Sequence, residues 1–114
     1  MKRFINSFRF AAIGFRSALS GQVNLQIHLC VTLAVIIAGI SFRVSALEWC
    51  ILLLCIGLVI SLELINTAIE KLVDMVSPEW KEQAGQIKDI AASAVLWSSI
   101  ISALIGLIIF GTHL

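Results

Sequence analysis

The chain of 114 residues is 60% hydrophobic and only 13% charged, with a mean hydropathy of +1.04, so a soluble domain of this size would lack polar side chains to cover its surface. The composition suits one domain, residues 1–114, whose solvent is mostly lipid. A net charge of +1 with no basic run gives no reason to expect a nucleic-acid partner. Three cysteines, Cys30, Cys50 and Cys55, lie inside apolar runs. An odd number without CxxC spacing argues against a disulfide framework or a zinc site, and they read as small apolar residues.

In chain order, residues 2–20 interleave Arg with Phe4, Phe8, Ala11, Ala12, Phe15 and Leu19 at helical spacing. This predicts an amphipathic helix lying on the membrane surface, or an N-terminal extension packed on the protein. Its basic residues are too dispersed for a signal peptide. Residues 25–42 form a first spanning candidate, near the lower length limit of about 17 residues. After a short polar break at 43–45, a second span covers 46–70 and continues as helix to 76. Ser77-Pro78 ends it. A polar interfacial stretch at 79–89 leads into a third span over 88–110. Trp49 and Trp80 read as interfacial belt anchors.

Lys and Arg placement sets the expected orientation. Lys2, Arg3, Arg9 and Arg16 precede the first span, and Lys71, Lys81 and Lys88 lie between the second and third. Only Arg43 lies between the first and second. The positive-inside rule therefore puts the N-terminus and the 71–89 loop in the cytoplasm.

The informative residues interrupt the apolar pattern of the second span. Glu63 follows CIGLVISL and precedes LI. A carboxylate at mid-membrane costs about 2.5–3.5 kcal/mol on insertion scales, and such residues face protein or a wet cavity. At about 100° per residue, Glu63, Asn66, Glu70 and Asp74 share one narrow arc of the helix. Desolvation makes a carboxylate a stronger base, which suits Glu63 to proton abstraction. Glu70, two turns nearer the cytoplasm, could hold a divalent cation together with substrate phosphates. Lys88 offers a point charge for phosphate, and Asp89 beside it could orient that lysine. Equally, Glu63 could lock helices together or mark an ion or proton path. Gln22, Asn24 and His28 enter the first span at the depth of this stripe, and a lone His28 reads as an ordinary interfacial hydrogen-bonding residue. No GxxxxGK[ST], GxGxxG or GxSxG motif is present.

The stretch ELINTAIEKLVD at 63–74, followed by KDIAASAVL at 88–96, resembles the prokaryotic diacylglycerol kinase family, which includes diacylglycerol kinases and undecaprenol kinases. SFRFAAIG at 7–14 and the Asn24-x-x-x-His28 spacing are similar to it too, particularly to its undecaprenol kinase-like branch. The resemblance covers nearly the whole chain. It implies an all-α membrane protein in the bacterial inner membrane, a homotrimeric bundle with an N-terminal interfacial helix, three transmembrane helices and active sites shared between subunits. The implied reaction transfers phosphate from ATP, with Mg²⁺ or another divalent metal, to diacylglycerol or undecaprenol at the cytoplasmic interface. By matching positions, Glu63 would be the general base and Asn66 would position substrate. Glu70 would ligate the metal on ATP, and Lys88 and Asp89 would contact the nucleotide. Weaker nucleotide contacts would come from Arg3, Phe10 and the loop Glu79–Lys81. Two positions depart from the pattern. Gln22 stands where the family has a metal-binding Glu and offers only a neutral oxygen, which implies weakened metal binding. Lys81 replaces a small polar residue or His. The competing reading is a non-catalytic oligomer, either an ion or proton conduit or a degenerate kinase with Gln22 as its lesion.

Overall fold

The computed structural model describes residues 1–114, and they form four helices: α1 (Lys2–Gly21), α2 (Val23–Ser41), α3 (Ala46–Val76) and α4 (Glu82–Gly111). Helices α2, α3 and α4 are each long and apolar enough to cross a membrane. Their bounds follow the three predicted spans, with one extension. Helix α4 begins at Glu82, well before residue 88, because the polar stretch 82–88 contains no proline and its single glycine, Gly85, does not break a helix.

The connections are short. Gln22 alone separates α1 from α2, in an extended conformation (φ −123°, ψ 109°) that turns the chain. Between α2 and α3, Arg43 adopts a left-handed φ of 54°, and Ser45 then starts α3 with a capping box. Its hydroxyl accepts from the Glu48 amide at 3.1 Å, and its own amide donates to Glu48 Oε1 at 2.9 Å. Pro78 lies in the third connection, which has no room for another helix.

Helix α3 is central: α4 packs along it most extensively and α2 flanks it. The α2–α3 turn and the C-terminus form the tightly packed end. Val44, Leu52 and Ile109 are buried there, with Val35, Trp49, Ile105 and Phe110 against them. Phe42 and Phe110 approach to 5.7 Å between ring centroids. His113 Nε2 lies 3.0 Å from Glu48 Oε1, tying the C-terminus to the start of α3. The Trp49 ring covers Gly39, where an added Cβ would lie 2.5 Å from a ring carbon. Trp49, expected as a belt anchor, also packs the hairpin. Glycine at 39 is what lets the indole approach.

Only 13 of 114 residues are buried, so most apolar side chains point outward. Leu54, Leu72, Leu107 and Ile108 are all more than half exposed, as expected when lipid or other chains complete the surroundings. The molecule measures 51 × 42 × 20 Å. A slab 20 Å thick with a 42 Å second dimension requires α1, about 30 Å long, to project from the bundle. Ala18 is the one buried residue of α1.

Candidate functional site

At the end opposite the tight turn, α3 presents its polar stripe as a gradient. Glu63 (1% exposed), Asn66 and Thr67 are buried, Glu70 is half-buried, and Asp74 is open. The stripe therefore runs from the inside of the chain to its surface over about 16 Å, at 1.5 Å rise per residue. Thr67 Oγ1 donates to the Glu63 carbonyl at 2.9 Å, keeping its hydroxyl on the helix. Asn66 Nδ2 donates to Glu70 Oε1 at 3.3 Å. Two stripe atoms are left buried without a hydrogen-bond partner: Glu63 Oε2 and Asn66 Oδ1. Burying such atoms unpaired costs about 1–3 kcal/mol each. Folding alone does not explain their presence.

Two cavities flank the stripe. The first, about 340 Å³, is a groove with α3 as floor (Leu52, Cys55, Ile56, Val59) and α2 (Ile27, His28, Val31, Thr32, Val35) and α4 (Ser99, Ser102, Ala103, Gly106) as walls. It is mainly apolar, and Glu63 lies beyond its His28 edge. His28 Nε2 is 3.6 Å from Glu63 Oε2. The second cavity, about 320 Å³, is polar and lies between the end of α3 and the start of α4. Asp74, Ser77, Pro78, Glu79, Trp80, Lys81, Lys88 and Asp89 line it. Four of the residues expected to meet nucleotide thus share one cavity: Glu79, Lys81, Lys88 and Asp89.

Other expected positions fall elsewhere. Lys88 Nζ donates to Asp74 Oδ1 across the α3–α4 hairpin, so Asp74 orients this lysine, not Asp89 as the sequence suggests. Arg3 and Phe10 are exposed on α1 and line neither cavity. Gln22 is half-buried at the α1–α2 corner. His28 is the residue that sequence reasoning undervalued. Its depth matched the stripe, but nothing in the sequence shows that α2 turns this side chain toward Glu63.

No group of three His, Cys, Asp or Glu side chains is placed to enclose a metal. Glu70, with one oxygen engaged by Asn66, can offer its other oxygen, and the partnerless Asn66 Oδ1 is beside it on the same stripe. One carboxylate with neutral oxygens fits a cation carried on substrate phosphates and does not fit a permanently held ion.

A buried carboxylate, an apolar groove on one side and a lysine-bearing polar cavity on the other belong together in a protein that brings a lipid to a charged reactant. The prokaryotic diacylglycerol kinase family model matches residues 9–110. The chain is also 41% identical over 110 residues to an undecaprenol kinase of Bacillus subtilis, covering 96% of this chain and 89% of that one. The chain belongs to the prokaryotic diacylglycerol kinase family. It is similar as well to a diacylglycerol kinase of Synechocystis, 40% identical over 101 residues, covering 88% of this chain and 58% of the longer relative. A diacylglycerol kinase of Escherichia coli is 31% identical over 112 residues, with 97% and 91% covered. Family membership and three apolar helices make this an integral membrane lipid kinase. It also favours an enzyme over an ion conduit.

Proposed function

We propose that the chain phosphorylates a membrane lipid alcohol from ATP, at the cytoplasmic surface of the bacterial inner membrane, as a homotrimer. The single observation that supports this best is the graded stripe, which leads from Glu63, just beyond the His28 edge of an apolar groove, to a polar cavity at Lys88 along one helix face. The relatives' names give two acceptors, undecaprenol and diacylglycerol. The 41% identity over nearly the whole length of the undecaprenol kinase favours the polyprenol.

In this reading the lipid tail lies against the apolar groove and the nucleotide occupies the cavity between α3 and α4, phosphates directed along the stripe. Glu63 takes the proton of the lipid hydroxyl as that oxygen bonds to the γ-phosphorus, and the bond to the departing ADP oxygen breaks. Asn66 holds the reacting groups in line. Lys88, released from Asp74, balances phosphate charge, and Asp89, Glu79 and Lys81 contact the rest of the nucleotide. Glu70, with Gln22 as a weak neutral ligand, would hold a divalent cation on ATP, which supplies charge neutralisation at the phosphates. Arg3 and Phe10, which line neither of this chain's own cavities, contribute to a neighbouring subunit's site. Helix α1 lies on the membrane with its arginines toward headgroups.

Purified protein in vesicles with Mg-ATP should phosphorylate undecaprenol faster than diacylglycerol. Glu63→Gln should lower turnover about 10²–10⁴-fold while the protein stays folded and oligomeric. Full turnover in that variant refutes the base assignment, and no transfer to either alcohol by the unaltered protein refutes the kinase.

A further inference from the structure

We propose that His28 is a positioning residue for Glu63: its imidazole holds one carboxylate oxygen so that the other faces the lipid hydroxyl entering from the groove. The inference rests on the kinase reading above and concerns a residue to which that reading gives no role. Three observations on α2 and α3 lead to it. Glu63 is 1% exposed and its Oε2 has no hydrogen-bond partner. His28 Nε2 lies 3.6 Å from that atom, just beyond hydrogen-bond range, a gap that a shift of a few tenths of an ångström would close. His28 also lines the groove, whereas Glu63 does not, so the ring is the wall between the apolar chamber and the carboxylate. A hydroxyl arriving along the groove meets Glu63 beside this ring.

The backbone around His28 is fixed. Leu25, one turn before it, is fully buried, and Thr32, one turn after, donates its hydroxyl to the His28 carbonyl at 2.8 Å. The turn thus fixes where the His28 side chain starts, and the ring reaches Glu63 from there. An imidazole that donates Nε2–H to Oε2 leaves the second carboxylate oxygen as the proton acceptor. The lipid O–H bond breaks, the proton passes to that oxygen, and the lipid oxygen bonds to phosphorus as ADP departs. His28 neither gains nor loses a proton. Its contribution is orientation, where an error of about 1 Å can cost about 100-fold in rate.

His28→Leu fills the same space without a donor, and His28→Gln restores one. Steady-state kinetics in vesicles, with Mg-ATP and undecaprenol each varied, should show kcat for the Leu variant lowered about 10–100-fold. KM for both substrates should stay within about twofold, and the Gln variant should recover most of the loss. Should the Leu variant fail to fold, as judged by its oligomer size in detergent, His28→Ala replaces it. An unchanged kcat without the donor, a raised lipid KM with kcat intact, or a Gln variant as slow as the Leu variant each overturns the proposal. Glu63→Gln measured in parallel separates the two readings. If it is inactive while His28→Leu is fully active, only the role of His28 fails. If it retains full turnover, the base assignment fails first.

Discussion

Replacing Glu63 by Leu should raise the stability of the folded chain while abolishing catalysis. The carboxyl sits 1% exposed with Oε2 unpaired, a condition that costs about 1–3 kcal/mol. Its depth in an apolar helix adds to that cost, up to about 2.5–3.5 kcal/mol at mid-membrane. Leu is close in volume, so packing strain should stay below about 1.5 kcal/mol. What the substitution removes is small. Thr67 bonds to the Glu63 backbone carbonyl and keeps that bond, and His28, whose side chain is 21% exposed, loses a contact of 3.6 Å. The expected net effect is stabilisation of about 1–2 kcal/mol, which is roughly a 5–30-fold shift in the folded-to-unfolded ratio.

Titrating purified protein in mixed micelles with a denaturing detergent, with helix content as the signal, measures this directly. Stabilisation together with a turnover loss of about 10²–10⁴-fold is the signature of a group retained for chemistry at the expense of stability. Destabilisation by more than about 1 kcal/mol would refute the reasoning, because it would make Glu63 a structural contact between helices.

Gly39→Ala should destabilise by about 1–3 kcal/mol, since its Cβ would lie 2.5 Å from the Trp49 ring; a Trp49→Phe partner substitution should recover part of the loss in the same titration, and a neutral Gly39→Ala would refute the packing argument. Ser45→Ala removes one arm of the capping box and should cost about 1 kcal/mol, with kcat unchanged. Asp74→Asn frees Lys88 from its ion pair. Both partners are substantially exposed, so stability should change by no more than about 1 kcal/mol, while KM for ATP should fall up to about fivefold; a rise in KM would show that Asp74 serves the nucleotide itself. Gln22→Glu adds a charged oxygen and should lower the Mg²⁺ concentration for half-maximal activity about tenfold, and coincident metal titrations would remove position 22 from the metal site.

The helices were legible because their signals are local. Apolar runs of spanning length, Ser77-Pro78 and the 100° spacing of Glu63, Asn66, Glu70 and Asp74 each follow from residues close in sequence. The contacts between helices were not, because they depend on how each helix is rotated about its own axis. Asp89 adjoins Lys88 in sequence, yet consecutive helical residues point about 100° apart, and Asp74, reaching over from α3, is the partner. His28 is likewise ordinary along α2, where no neighbour marks it. Its relation to Glu63 exists only once the two helices pack. Trp49 is a similar case: an aromatic near a span end suggests an anchor, and only the packing shows that Gly39 on the preceding helix also opens a place for it.

The two ends of the bundle have different tasks, and their chemistry differs accordingly. At the turn end, Val44, Leu52, Ile109 and Trp49 are packed, Ser45 and Glu48 cap α3, and His113 closes on Glu48, so Ser45, Glu48 and His113 all have partners. At the other end Glu63 and Asn66 keep unpaired buried atoms and Lys88 is held by one exposed carboxylate. A chain with so few buried residues tolerates those unmet groups because the hairpin is fixed at its far end. The rigid connection through α3 then transmits that constraint along the stripe. On the proposed function, the groups that exchange partners with lipid and phosphate are thereby kept at the open end, where a partner can be lost without loosening the fold.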